Sequence, residues 1–249
     1  MRKFSHYCVT NTLSFLILVT FGFTVSTAVH AKPIGHAPWV GENLQGAPCI
    51  GGAENFGPFD YLQRHNLRAE LGIVEKYHFG PEVEQLIAGM RTGLERDVPA
   101  ELDYTLRAWP NHHRALNSAI QFRMINKNRK TGFPPAECYL ERAVNFSPKD
   151  GITRMLYGNL LQRSGHKKHA LEQYEQALKL RPNNVQIKYN LALLLVDLGK
   201  YKRAREYALD LYPKGFPLPG LRDKLKKAGH WSQEDNIKKT ESSGVSEIQ

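Results

Sequence analysis

Two consecutive 34-residue stretches, 151–184 and 185–218, repeat one pattern of small, apolar and helix-breaking residues. In the first stretch, small or apolar residues recur with helical spacing from Ala170 to Leu180, and Pro182 then ends the run. A glycine earlier in the stretch separates this run from another helical pattern. Each stretch therefore predicts two helices joined by a tight turn, and two such units in tandem indicate an array of helical hairpins.

The phase of this pattern resembles that of a known repeat family. Counted from residue 151, small residues fall at repeat positions 8 and 20, which are Gly158 and Ala170. The large Tyr174 falls at position 24 and Pro182 at position 32. These positions and the period of 34 resemble the tetratricopeptide repeat (TPR) family. Small residues at positions 8 and 20 would let the paired helices approach closely, with the tyrosine filling the space between them.

The same phase extends in both directions along the chain. The stretch 185–218 has Ala192 and Ala204 at positions 8 and 20, and its second helix is expected to end near Tyr212. A weaker repeat, 117–150, has Ala136 at position 20 but a methionine at position 8. The sequence therefore predicts a mainly α-helical chain, an α-solenoid of about three TPR hairpins.

A helix from about Pro219 to Ala228 is expected to cap this solenoid, because the ends of repeat arrays need a polar outer face. The repeat domain with its cap is predicted to span 117–231. The polar tail, 232–249, is expected to be disordered.

The N-terminal 31 residues, 1–31, have the pattern of a secretory signal peptide. A basic start precedes an apolar run of about 13 residues, and small residues precede a predicted cleavage after Ala31. The alternative is an uncleaved anchor, for which the run is short, since a span needs about 20 residues. The sequence thus predicts a periplasmic or secreted protein with no transmembrane span after cleavage.

Export changes the interpretation of the cysteines. Cys8 would leave with the signal peptide, which keeps Cys49 and Cys138 in the mature chain. An even pair in an oxidising compartment predicts a disulfide between them. The alternative is two unrelated cysteines, one exposed and one in the core.

The segment between signal and repeats, 32–116, is predicted to be an irregular module. Its first part is rich in glycine and proline. Residues 72–79 and 102–107 have strand-like composition or alternation, and they predict a small two-stranded sheet. Asn111 is expected to cap the next helix. The motifs CIGGAENFGPFDY and DYTLRAWPNHHRAL, followed by TPRs, resemble exported TPR proteins of Gram-negative bacteria, a resemblance that implies no particular activity.

No motif of the chain predicts catalysis, a metal site or a cofactor. His112 and His113 are adjacent, so on a helix they point about 100° apart and do not converge on one metal ion. The pair His166 and His169 lacks further ligands at suitable spacing. An enzyme with its site in the N-terminal module stays open as an alternative, and its candidate residues are Asp60, Asp103, Arg107, His112 and His113.

The resemblance to TPRs implies that a protein or peptide binds in a groove lined by the first helix of each repeat. Asn159 and Asn190 match two positions that clamp a C-terminal carboxylate in some TPRs, but Met155 replaces the lysine that completes the clamp. The expected partner is another envelope protein or peptide. The predicted groove residues are Gln121, Ile125, Met155, Asn159, Gln162, Tyr189, Asn190 and Leu193.

The chain carries a formal net charge of +10, which falls to +8 once Arg2 and Lys3 are removed with the signal peptide. The densest basic groups are 127–130, 167–169 and 224–227. No nucleic-acid motif accompanies them, and export argues against nucleic acid as a partner. A solvated basic surface explains the charge, with a binder of anionic cell-wall polymer as the alternative.

Overall fold

The computed structural model describes residues 35–54, 56–89, 97–126 and 131–232. These residues belong to one compact unit of the chain. The predicted signal peptide, 1–31, and all but the first residue of the predicted tail lie outside the described residues. The helices of the described part are α1 (Arg68–Tyr77), α2 (Pro81–Ile87), α3 (Val98–Ala108), α4 (His113–Ile125), α5 (Ala136–Phe146), α6 (Gly151–Arg163), α7 (Lys167–Leu180), α8 (Val185–Asp197), α9 (Tyr201–Leu211) and α10 (Gly220–Lys227).

The fold is mainly helical, as predicted, and its helices pair in the order of the repeats. Helices α4 and α5 form the first hairpin, α6 and α7 the second, and α8 and α9 the third, while α10 packs on α8 and α9. Asp150 caps α6 by accepting from the backbone N–H groups of Ile152 and Thr153, and Asn184 caps α8 by accepting from the backbone N–H of Ile187. One large apolar core extends from α2 to α10.

Gly158 explains how closely α6 and α7 approach each other. A Cβ atom at this position would lie 2.9 Å from two atoms of the Tyr174 ring. The ring itself is 1% exposed. The small residue at position 8 therefore makes room for the large residue at position 24, as the spacing predicts.

The predicted two-stranded sheet is wrong, since residues 72–79 and 102–107 fall largely within α1 and α3. In α3 the side chains of Leu102 and Leu106 are both buried, because residues four apart share one face of a helix. Tyr104, between them, is only partly buried. The apolar alternation at residues 102–106 thus also fits one face of a helix. The described residues contain no β-strand, only one isolated bridge between Glu42 and Pro48.

The predicted N-cap of α4 is shifted by one residue. His112, rather than Asn111, caps the helix, and its Nδ1 accepts from the backbone N–H of Ala115. Asn111 is fully buried and bonds to other elements instead. The capping helix α10, Gly220–Lys227, lies within the range predicted for it, and only Leu221 and Leu225 of this helix are buried.

Candidate functional site

The first helices of the three repeats lie side by side, since α4 contacts α6 and α6 contacts α8. We call the surface of α4, α6 and α8 that carries the predicted groove residues the first-helix face. Ile125 is 65% exposed on this face, and Gln121 is exposed beside it. Four further predicted residues are partly buried, namely Met155, Asn159, Asn190 and Leu193.

Two of the predicted groove residues are used in packing between helices. The amide of Gln162 accepts a hydrogen bond from the Tyr174 hydroxyl at 3.1 Å and donates one to the Asp197 carboxylate at 3.1 Å. Tyr189 is buried, and its ring lies 4.8 Å from that of Phe216. The segment leading to α10 therefore covers the first-helix face at its C-terminal end.

The first-helix face carries amides and apolar side chains at its predicted positions, without a charge. Asn190 accepts a hydrogen bond from Gln186 at 2.9 Å. Met155 and Leu193 pack against the core with part of their surface left accessible. Such a face can donate to and accept from a peptide backbone while it packs against apolar side chains.

Residues 35–54, which we call the strap, cross the outside of α5. A disulfide joins Cys49 of the strap to Cys138 of α5, as the cysteine count predicts. Arg142, also on α5, is 1% exposed and donates to the carbonyl oxygens of Ala37 and Leu106, each at 2.7 Å. Glu54 accepts from the Arg142 guanidinium at 3.1 Å and from the Ala37 backbone N–H at 2.8 Å. The strap is thereby held on α3 and α5, which are not the helices of the first-helix face.

A buried polar network ties the module 32–116 to Asp150, the N-cap of α6 in the second repeat. Asn111 donates to the carboxylates of Asp60 at 2.7 Å and Asp150 at 3.0 Å. His113 donates from Nε2 to Asp150 at 2.7 Å. Burial acts to raise the pKa of Asp150, but its hydrogen bonds from His113, Asn111 and the backbone outweigh this and hold the pKa below its ordinary value.

The candidate catalytic residues do not form one site. Asp60 and His113 belong to the network around Asn111, where every contact serves to cap or join elements. His112 bonds through Nε2 to Glu75 at 3.2 Å. The five candidates are thus divided among separate contacts.

Asp103 and Arg107 form their own pair on α3, at 2.8 Å. Asp103 also accepts from the Tyr139 hydroxyl at 2.7 Å, and Arg107 donates to the carbonyl of Ala53. Burial, and then the negative charge of Asp103, raise the pKa of Tyr139 well above its ordinary value. This pair joins the strap, α3 and α5, and we assign it a structural role.

Replacing His112 by asparagine is expected to flatten the dependence of stability on pH between about pH 7.5 and 5. Burial lowers the pKa of His112 below its ordinary value of 6.5. The unfolded chain therefore takes up a proton that the folded chain resists, and the free energy of unfolding falls as pH drops through 6.5, by at most about 1.4 kcal/mol per pH unit for one group. His112→Asn removes this group and keeps a capping side chain for α4.

Urea unfolding across this pH range, with the parent protein beside the variant, measures the difference. The carboxyl groups of Glu75 and Asp150 do not contribute to the pH dependence in this range, because the pKa values of both lie below their ordinary values. An unchanged slope in His112→Asn would show that other groups cause the pH dependence.

The described residues contain no group of three or more histidine, cysteine or carboxylate side chains placed to hold a metal ion. The rings of His166 and His169 lie 6.4 Å apart. Among the helices described, none is long and apolar enough to span a membrane.

Comparison with known proteins agrees with the repeat geometry. Residues 157–217 match the family model of the tetratricopeptide repeat. The chain contains tetratricopeptide repeats. It is also 33% identical to the peroxisomal targeting signal receptor of Candida glabrata over 73 residues. This matched segment is 29% of this chain and 12% of the relative. The receptor of the same name from Saccharomyces cerevisiae is 32% identical over 75 residues, which is 30% of this chain and 12% of the relative.

The chain spans only about an eighth of the length of these curated relatives. The repeats themselves indicate a class of function, because TPRs are scaffolds for protein–protein interaction and are typically without catalytic activity. The match over residues 157–217 therefore indicates a scaffold for protein–protein interaction in this part of the chain.

Proposed function

We propose that the chain is an exported TPR adaptor that binds a partner protein of the cell envelope on its first-helix face, without catalysis. The observation that carries the proposal is that three successive first helices bring predicted groove residues onto one partly exposed surface. The module 32–116 contacts the repeats at other helices, since its strap is held on α5 and its Asn111 bonds to the N-cap of α6. This face is therefore left accessible to a partner.

The face suits an uncharged, extended segment with apolar side chains. The amides of Asn159 and Asn190 offer donors and acceptors to a peptide backbone, and Ile125 offers an apolar contact. Since methionine stands at position 155, binding does not depend on a C-terminal carboxylate. The relatives are named as receptors of a targeting signal, which supports recognition of a segment of another protein.

Two observations support export to an oxidising compartment. The first 31 residues follow the order of a signal peptide, with basic, apolar and then small residues. A disulfide joins the strap to α5, and disulfides persist in the periplasm and outside the cell but are rare in the cytosol. The proposed partner is therefore in the envelope.

Crosslinking in intact host cells, followed by fractionation and mass spectrometry, tests both parts of the proposal. The parent is compared with the variant Ile125→Ser/Asn159→Ala, which changes accessible side chains of the first-helix face. We expect one dominant envelope partner whose yield falls at least tenfold in the variant. The same spectra report the N-terminal peptide of the protein, which is expected to begin at Lys32.

A matched control changes the other side of the second repeat. Leu180→Ser/Gln176→Ala replaces one apolar and one amide side chain of α7, both exposed, and should leave the partner yield unchanged. Equal losses in both variants would exclude the first-helix face as the binding surface. A chain recovered only from the cytosol with its first residues intact would exclude export.

A further inference from the structure

Charge is divided unequally between the two parts of the described chain. Residues 151–232 contain 16 lysine and arginine residues against 6 acidic ones, a net charge of +10. The described residues before them contain 8 basic and 13 acidic residues, a net charge of −5. The positive charge is thus a property of the second and third repeats and the cap.

Much of this positive charge lies along one edge, where the turns α6–α7 and α8–α9 and the end of α10 meet. Lys167 donates to the carbonyl of Asp197 at 3.3 Å, and Lys224 pairs with the carboxylate of the same residue. The ring of Tyr201 stacks on that of His230 at 4.2 Å. We call this surface the basic edge, and its members are Lys167, Lys168, His169, Lys200, Lys202, Lys224, Lys226, Lys227 and His230.

Most of the cations of the basic edge have no acidic partner. Lys168, Lys200, Lys202, Lys226 and Lys227 are all exposed, and none of them forms an ion pair within the part of the chain that the structure describes. The carboxylate at the centre of the edge is already bonded to Lys224 and Gln162. The edge therefore presents uncompensated positive charge to solvent.

Helix stability does not explain the lysines at the start of α7 and α9, whereas Lys224, Lys226 and Lys227 lie in the last turn of α10, where the helix dipole favours cations. The first turns of α7 and α9 contain no acidic residue, and their N-caps, His166 and Lys200, make no side-chain capping bond. Cations near a helix N-terminus are disfavoured by the helix dipole, so Lys168 and Lys202 stand where they weaken their own helices. Their placement is explained better by something that binds to them.

We propose that the basic edge binds a linear polyanion. Neighbouring packed helices lie about 8–10 Å apart, so the charged turns recur at regular intervals across the two repeats and the cap. An open depression of about 620 Å³, lined in part by Lys202, His230 and Trp231, lies within the edge. The edge uses lysine rather than arginine at most positions, which favours recognition of charge density over planar, bidentate contacts.

A membrane surface fits these observations less well than a soluble polymer. Surface binding to lipid is strengthened by apolar side chains that enter the interface. The exposed large apolar residues of the repeats and cap are Ile125, Leu180, Val185 and Leu218, none of which belongs to the basic edge. We therefore assign the edge to a flexible polymer with an anionic group in each unit.

Binding of long-chain inorganic polyphosphate and of polyglutamate to the purified protein, measured over a range of salt concentrations, tests this proposal. The variant Lys168→Gln/Lys202→Gln/Lys226→Gln should bind at least tenfold more weakly than the parent. The slope of log affinity against log salt should become shallower by about two units, as three charges each contribute roughly 0.7 on a flexible chain. Binding of both polymers would show that the edge recognises charge density. Binding of polyphosphate alone would show that it recognises phosphate groups.

The matched control is Lys149→Gln/Lys179→Gln/Arg181→Gln, which removes three exposed charges outside the basic edge and should change affinity less than threefold. Equal weakening by both triple variants, or no polymer binding at all, would overturn the proposal. Edge-dependent binding to phosphatidylglycerol vesicles without binding to either polymer would also overturn it, in favour of a membrane surface. The first-helix variant Ile125→Ser/Asn159→Ala should bind polymer like the parent, which keeps this test separate from that of the adaptor function.

Discussion

Replacing Cys49 and Cys138 together by alanine is expected to lower the free energy of unfolding by about 4 kcal/mol. The two cysteines are 89 residues apart in the chain, and a crosslink that closes so long a loop removes much of the conformational freedom of the unfolded state. Both side chains are buried, at 5% and 1% exposed. Urea unfolding followed by circular dichroism, on the oxidised parent and the variant, gives the difference.

Limited proteolysis shows where this loss of stability acts. Cleavage within the strap, residues 35–54, should become faster in the variant than cleavage within the second and third repeats. The parent protein, reduced and alkylated, serves as the control and should behave like the variant. A difference in unfolding free energy below about 1 kcal/mol would mean that Arg142 and Glu54 hold the strap without help from the disulfide.

Gly158→Leu is expected to cost about 3 kcal/mol or more of stability, because it inserts a side chain where the structure has no room. The added Cβ alone would lie 2.9 Å from the ring of Tyr174. That ring cannot move easily, since it is buried and its hydroxyl donates to Gln162. The helices α6 and α7 would have to separate, and the core between them would lose contacts.

Gly72→Leu is the matched control for this substitution. Gly72 lies within α1, is exposed, and has no heavy atom beyond its chain neighbours and its own helix backbone within 4 Å of the position that a Cβ would take. Leucine there should leave stability unchanged or raise it by up to about 1 kcal/mol through helix propensity. If the two variants unfold at the same urea concentration, the close approach at Gly158 does not limit the fold.

The repeats could be predicted from sequence because their determinants are local and recur at a fixed interval. Gly158 and Tyr174 are 16 residues apart, and the contact between them follows from the hairpin that both occupy. The disulfide could be predicted from the count of cysteines and the expected compartment alone. A fixed repeat interval was sufficient to predict the first contact, and the number of cysteines in an expected oxidising compartment was sufficient to predict the second.

The contacts of the N-terminal module could not be predicted, because they join distant parts of the chain. Arg142 bonds to Ala37 across 105 residues, and Asn111 bonds to Asp60 across 51. Side-chain types alone give no such pairing. The false strand around Leu102 has a local cause, since a short apolar alternation fits a strand as well as one face of a helix.

The burial of Tyr189 against Phe216 also could not be predicted from sequence. The third repeat ends early at a proline, and the following residues turn back so that Phe216 packs on the tyrosine ring. The family pattern places Tyr189 in the groove. In this chain the third repeat departs from the pattern after its second helix, and Phe216 occupies the space beside the tyrosine ring. The binding face is therefore shorter at its C-terminal end than three regular repeats would make it.

The most direct test of the adaptor function is photocrosslinking in intact cells with a photoreactive amino acid at Ile125 and, as the control, at Leu180. Both positions are exposed, at 65% and 38%, so each side chain can be replaced without disturbing the core. The adaptor account predicts one dominant adduct with an envelope protein from position 125 and none from position 180. The same adduct from both positions, or adducts from position 180 alone, would contradict binding on the first-helix face.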